Sequence, residues 1–267
     1  GKGASWGTHE NYMMRRSVPF DDVAGLMTAH FVSRQIYAGS GRVGIGERSE
    51  TAGYQLSQRA DYIHALADIL SGASEPTGRL PLSVPKNVGA VPYYYNHKLK
   101  SAGTPIAFHF GSRYPFGYGL SYTQFEYSDL RVASESVDIE RGEISVMCRV
   151  RNVGARSGVA VPQLYVRDVL ASVVRPVKEL KSFGRVELQA GEAADVTFSV
   201  PVDMLCFTGY DGQRIVEAGQ FELQLGASSA DIRLRKMVEV SGKAANEARR
   251  LRRDWRMFSQ CESKAVG

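Results

Sequence analysis

The chain has 267 residues, enough for one sizeable core or two small ones. Apolar residues make up 43% of it and charged residues 23%, a globular composition that excludes a disordered or fibrous chain. The net charge is +5, but residues 241–267 hold seven Lys or Arg against three Asp or Glu, so the body is nearly neutral and offers no basic face for nucleic acid.

No run approaches the roughly 18 apolar residues that cross a bilayer. The opening GKGASWGTHENYMM has no apolar signal core, which as given points to a cytoplasmic chain. Cys148, Cys206 and Cys261 are odd in number, far apart and outside any CxxC spacing, and read as free thiols.

In chain order, Val23, Leu26, Met27, Phe31 and Ile36 recur mostly at three- and four-residue intervals after Pro19, which predicts a helix over Asp21–Tyr37. A glycine-rich break follows, with neither a GxGxxG spacing nor a following GK[ST]. GYQLSQRADYI then reads as a short strand-like piece, and HALADILSG as a helix ended by Gly72 and Pro76. RLPLSV, Arg79–Val84, alternates as a short edge strand would, with Pro81 and Pro85 at tolerated places.

The stretch from Lys86 to Phe125 is irregular and rich in Tyr, Phe, Gly and Pro, and reads as a folded-over loop or a recognition surface. From Phe125 to Val240 the period is close to two. EISVMCRV, VAVPQLYVRD, SFGRVEL, ADVTFSVP, QFELQLGA and DIRLRKMVEV are separated by turn words such as QAGE and GYDG, which predicts a two-sheet sandwich. The last part, SGKAANEARRLRRDWRMFSQ, predicts a basic helix with Leu251, Trp255 and Phe258 on one face. The expected fold is therefore mainly β: a sandwich preceded by incomplete α/β segments and followed by a basic C-terminal helix.

The words ALADILSG, PTGRLPLSVPKNVGAVPYYYNHK, YPFGYGLSYTQFEYSDLRV, VRNVGARSGVAVPQLYVRD, SVVRPVKELKSFGRVELQAGE and EAGQFELQLGASSADIRL stand in an order that resembles the C-terminal part of glycoside hydrolase family 3. This is the family of β-glucosidases and β-xylosidases. The resemblance runs from about residue 65 to residue 240. It implies that residues 64–124 are the end of an α/β sandwich domain, that 125–240 form a fibronectin type III-like domain, and that 241–267 are a tail.

In that family the nucleophile is an Asp on an N-terminal (β/α)8 barrel, which alone takes about 250 residues. The acid/base carboxylate lies in an earlier portion of the α/β domain. By the resemblance both carboxylates fall outside this chain, so no catalytic residue is expected in it. Glycoside hydrolysis itself needs two carboxyl groups about 5 to 9.5 Å apart across a pocket. Glu140, Glu143, Glu179, Glu187 and Glu192 instead lie at strand ends and turns of the expected sandwich.

Residues 1–63 resemble another family, the depupylases and Pup ligases, through WGTHENYMMRR, FVSRQIYAGSGRVGIG and GYQLSQRAD. That resemblance implies ATP and Mg²⁺, with Glu10 and His9 near the metal and Arg34, Arg42 and Arg59 near phosphate or an acidic substrate. Adjacent residues on a strand face opposite ways, so His9 and Glu10 are poorly placed to share one ion.

Within the body, Tyr93, Tyr94, Tyr95, Asn96 and His97 are the candidate substrate-binding group, since aromatic faces stack on sugar rings and an amide hydrogen-bonds their hydroxyls. The same residues also read as a buried packing plug, the favoured reading from sequence. No GxSxG elbow selects a serine nucleophile. The expected activity is that of an accessory C-terminal fragment of a β-glycosidase, not catalytic alone and without a cofactor, whose partners are a β-linked saccharide and the missing barrel or another protein. The alternatives are a carbohydrate- or protein-binding module and a remnant of an ATP-dependent Pup ligase.

Overall fold

The computed structural model describes residues 42–45, 51–55, 68–99, 111–242, 247–251 and 258–266. The chain divides into two compact units, Gly1–Ser74 and Glu75–Gly267. The helix expected over Asp21–Tyr37 lies outside the described residues, as do His9, Glu10, Arg34 and Arg59.

In the first unit, β1 (Arg42–Ile45) pairs antiparallel with β2 (Thr51–Gln55), which takes up the start of the strand-like GYQLSQ piece. Arg42 stands opposite Gln55. Asp68–Leu70 are helical, and the turn ends at Gly72 with φ 77°, a left-handed conformation that glycine adopts without a Cβ clash. The Gly72 N–H donates to the Ile69 carbonyl at 3.1 Å and the Ser74 N–H to that of Asp68 at 2.9 Å.

The second unit begins with β3 (Val84–Pro85), a 3-10 turn over Val88–Ala90 and β4 (Ser112–Tyr114). RLPLSV is mostly irregular instead of one strand. Leu80 donates to the Tyr118 carbonyl and accepts from the Gly117 N–H, both at 2.8 Å, and Pro81 has no N–H with which to extend that pairing. The sandwich strands follow: β5 (Phe125–Val132), β6 (Ser136–Asp138), β7 (Glu143–Asn152), β8 (Gly158–Ala160), β9 (Gln163–Asp168), β10 (Glu179–Phe183), β11 (Val186–Leu188) and β12 (Ala193–Pro201). After a 3-10 turn, Val202–Leu205, come β13 (Phe207–Thr208), β14 (Arg214–Glu217), β15 (Gly219–Gly226), β16 (Ile232–Ser241), β17 (Ala248–Arg250) and β18 (Gln260–Val266).

One sheet has the order β18-β12-β7-β5 and the other β10-β9-β15-β16-β6. All pairs in them are antiparallel except β16 with β6. Alternation places Ile144, Val146, Cys148 and Val150 of β7 beside Ala194, Val196, Phe198 and Val200 of β12 on the inner face. Leu164, Val166, Phe221, Leu223, Leu225, Val238 and Val240 of the second sheet close the same core. On the outer face of β7 and β12, Arg149 grips Asp195 through two hydrogen bonds of 2.9 and 3.1 Å.

The word VAVPQLYVRD forms two strands, not one. β8 pairs with β11 and β9 with β10, and Pro162, which cannot donate to a ladder, stands between them. β9 also breaks the alternation, because Gln163, Leu164, Tyr165 and Val166 are all buried. Its outer face is covered by the aromatic loop.

The expected basic C-terminal helix over 241–267 is not what the described part of the tail forms. β17 adds to the sheet β13-β14-β17, and β18 pairs along β12 from Ala193 opposite Val266 to Ser199 opposite Gln260. Helix propensity is worth only tenths of a kcal/mol per residue, roughly, whereas an uncovered β12 edge leaves a row of unpaired backbone groups. Leu251 packs against the core, but Phe258, expected on the same apolar stripe, is 88% exposed. Trp255 lies outside the described residues.

Candidate functional site

The five candidate residues Tyr93–His97 are held together in the chain but face different ways. Tyr95 points into the second unit: its ring stacks on Phe116 at 4.1 Å and meets Tyr165 edge-on at 5.9 Å. Its hydroxyl accepts the Leu180 N–H at 3.0 Å, and burial pushes its pKa above the usual phenol value. Tyr94 is 64% exposed. Tyr93, Asn96 and His97 are half-buried, with the Tyr93 and His97 rings 6.2 Å apart. The His97 carbonyl accepts the Val177 N–H at 2.9 Å, and Lys98 bridges to Pro176, so the segment after His97 is pinned as a small antiparallel pairing.

The floor under Tyr95 is a buried polar chain. The Tyr165 hydroxyl donates to Gln163 Oε1 at 2.5 Å, and Gln163 Nε2 donates to the carbonyls of Gly117 at 3.0 Å and Ala227 at 2.8 Å. Gly117 has φ 79°, and a Cβ there would fall 2.0 Å from Gln163 Oε1, so the YPFGYG word needs glycine at this place. That word therefore fastens the aromatic loop onto β9.

Beside it opens a cleft of about 460 Å³, which Arg79, Tyr118, Phe125, Tyr127, Asp231 and Arg233 help to line. The Arg233 guanidinium lies 4.7 Å over the Tyr127 ring, donates to the Phe125 carbonyl at 2.5 Å and binds Asp231 at 2.9 Å. Burial pushes the Tyr127 phenol up to about 12. Sequence reasoning missed this cleft. Arg79 and Arg233 are 154 positions apart, and only the folding of GRLPLS and YPFGYGL onto β5 and the β15–β16 turn unites them.

At the end of β9, Arg175 is buried between Asp168 at 3.6 Å and Glu179 at 2.9 Å, with its guanidinium 4.3 Å over the Phe207 ring. Lys181 donates to the Met204 carbonyl at 2.6 Å. These charges tie β9 and β10 to the Val202–Leu205 turn. Of the carboxylates weighed from sequence, Glu179 belongs to this network and Glu192 accepts the Gln189 N–H at 2.7 Å within its turn. Glu140, Glu143 and Glu187 are at the surface. Among the described residues, no group of three or more His, Cys, Asp or Glu could hold a metal ion. No helix among them is long and apolar enough to cross a membrane. Arg42 is placed only as backbone on β1.

The described site thus offers aromatic faces, hydroxyls and guanidinium forks. The sandwich is of the fibronectin type III-like class, and residues 160–229 match the fibronectin type III-like domain family. Residues 55–122 match the glycosyl hydrolase family 3 C-terminal domain, and residues 1–76 match the Pup-ligase protein family.

A putative beta-xylosidase of Formosa agariphila is 38% identical over 179 residues, covering 67% of this chain and 23% of that protein. A periplasmic beta-glucosidase of Salmonella typhimurium is 37% identical over 183 residues, covering 64% of this chain and 24% of the relative. Among solved structures, the beta-glucosidase of Listeria innocua in complex with glucose superimposes with a TM-score of 0.61 at 33% identity, over 73% of this chain and 28% of that one. The same enzyme is also known as a mutant in complex with laminaribiose. Over about two thirds of its length, then, the chain is similar in sequence and fold to family 3 glycoside hydrolases, with the C-terminal domain matched at residues 55–122 and the fibronectin type III-like domain at 160–229, and it spans about a quarter of the length of these relatives.

Proposed function

We propose that this chain serves as the accessory C-terminal region of a β-glucosidase- or β-xylosidase-like hydrolase, that it is not catalytic alone, and that its aromatic loop contacts a β-linked saccharide. The observation that carries this reading is the anchoring of the loop. Tyr95 is locked on Phe116 and Tyr165, which presents exposed Tyr94 beside Tyr93, Asn96 and His97 on a rigid base. In this reading residues 64–124 end an α/β domain, 125–240 are the sandwich and 241–267 are a tail that closes sheet edges. The test is twofold. The purified chain should not hydrolyse aryl β-glycosides, and it should restore stability or activity to a family 3 β-glucosidase whose own C-terminal region has been deleted. Hydrolysis by the chain alone would sink the proposal.

A second reading rests on the match of residues 1–76 to the Pup-ligase family, which implies ATP and Mg²⁺. Glu10 and His9 make one carboxylate and one imidazole, too few and too soft a set for a magnesium site. In this reading residues 1–63 are a remnant of such a ligase. Mg²⁺-dependent ATP binding by the purified chain would revive the ligase reading.

A further inference from the structure

We propose that the cleft between Arg79 and Arg233 binds a sugar bearing one carboxylate, a hexuronate. This rests on the reading of the chain as a saccharide-contacting region and names a ligand class for a second surface of it.

The charge balance of the cleft points there. Arg233 is matched by Asp231 at 2.9 Å. Arg79 is half-buried, donates to the carbonyl of its neighbour Gly78 at 2.9 Å and forms no ion pair among the described residues. Glu75 attracts it from beyond ion-pair distance, its two oxygens accepting the Ser121 hydroxyl and the Tyr122 N–H. Arg185, which donates to the Thr77 hydroxyl at 3.2 Å, adds a second positive field. Burial first, and Arg185 after it, disfavour the charged form of Arg79, yet a guanidinium keeps its proton at any physiological pH. Arg79, Arg185 and Arg233 thus face two carboxylates, Glu75 and Asp231, so the surroundings of the cleft keep one excess positive charge, and the partly desolvated Arg79 has no carboxylate in direct contact among the described residues, a costly state until an anion meets it.

Geometry adds the rest. A Cβ at Gly119 would lie 2.4 Å from the Gly78 carbonyl oxygen and 2.5 Å from Arg79 Nη1, so Arg79 is held against bare backbone and its fork is set before any ligand arrives. A guanidinium fork matches a planar carboxylate by two parallel hydrogen bonds. A single excess charge suits a monoanion better than a phosphate dianion. The volume of about 460 Å³ falls within the range of small-ligand sites and exceeds what a bare carboxylate needs, while Tyr118, Phe125 and the hydroxyl of Ser121 line the remainder.

The test is titration calorimetry of the whole chain with sodium glucuronate, glucose and sodium acetate. Glucuronate is expected to bind at least tenfold more tightly than either of the others, and its advantage over glucose should shrink as salt is raised. Arg79→Met should abolish that advantage, Arg79→Lys should keep only part of it, and Asp231→Asn should strengthen it. The comparison of the three probes on the unmodified chain needs no variant to fold. Equal binding of glucose and glucuronate would overturn the carboxylate and leave a neutral-saccharide surface standing. Equal binding of acetate and glucuronate would overturn the sugar. Binding of none would overturn the site altogether, whereas the accessory role is decided separately by the hydrolysis and complementation assays.

Discussion

The ring of Tyr95 lies nearly flat on that of Phe116, with centroids 4.1 Å apart and planes 17° from parallel. One residue comes from the YYYNH word and the other from YPFGYG, so this pair fastens two irregular segments to each other and, through Tyr165, to the outer face of β9. It also separates two neighbouring tyrosines into different roles.

Tyr95→Ala should therefore destabilise the second unit by about 3 kcal/mol, since it removes a stacked aromatic and strands the Leu180 N–H. Tyr94→Ala should change stability by less than about 0.5 kcal/mol, because that ring is exposed. Urea unfolding followed by tryptophan-independent circular dichroism reads both. For saccharide binding the loss should appear in the Tyr94 variant while its fold is intact. A Tyr94 variant that binds as well as the parent chain would remove this residue from the contact surface.

Asn152 makes a comparable prediction inside the sandwich. It is 0% exposed, its Nδ2 donates to the carbonyls of Arg156 at 2.7 Å and Leu188 at 3.0 Å, and its Oδ1 accepts from the Thr123 hydroxyl at 2.6 Å and the Gly154 N–H at 3.1 Å. Asn152→Ala should cost about 2 to 4 kcal/mol by leaving these groups unpaired. Asn152→Asp should cost more at neutral pH, because a carboxylate would face two carbonyl oxygens with nothing to donate. A milder effect for Asp than for Ala in denaturant unfolding would contradict this geometry.

How much of this could be read beforehand depends on the range of the forces involved. Alternation along EISVMCRV and ADVTFSVP is local, and it placed Val146, Cys148, Val196 and Phe198 on a buried face without any knowledge of their partners. The tail misled because its local signal, a run of Ala, Glu and Arg, favours a helix, while the open edges of β12 and β14 that claim it arise from residues 31 to 73 positions earlier. In the aromatic loop the composition was visible, but not that Tyr95 turns inward and Tyr94 outward. The Arg79–Arg233 cleft had no local signal at all.

The cysteines test whether the sandwich opens. Burial pushes the Cys148 thiol up to about 12 and that of Cys261 up to about 11, so at pH 8 almost none of either is the reactive thiolate. Iodoacetamide labelling of the native chain, read by peptide mass spectrometry, should leave Cys148 unmodified. Cys261, half-buried on edge strand β18, should react slowly and before Cys148. In 6 M guanidinium both should react fully. Prompt labelling of Cys148 under native conditions would mean that β7 is accessible and that the core described above opens readily.

Asp168 gives the sharpest pH dependence. Burial pushes its carboxyl up to about 6, against the pull of Arg175 at 3.6 Å, with Glu217 and Glu179 adding repulsion. An unfolded Asp titrates near 3.9, so between about pH 4 and pH 6 the folded chain holds a proton at this place that the unfolded chain has released. Stability contributed by Asp168 is then greatest below pH 4, falls as pH rises through that window and levels off above about pH 6. Two pH units of such a shift correspond to on the order of 3 kcal/mol. Most carboxylates slope the other way, so the measurement is a difference: urea unfolding of the parent chain and of Asp168→Asn from pH 4 to pH 7.5. The stability of the parent relative to the variant should decline across the window, and a flat or rising difference would show that Arg175 keeps Asp168 ionised in the fold.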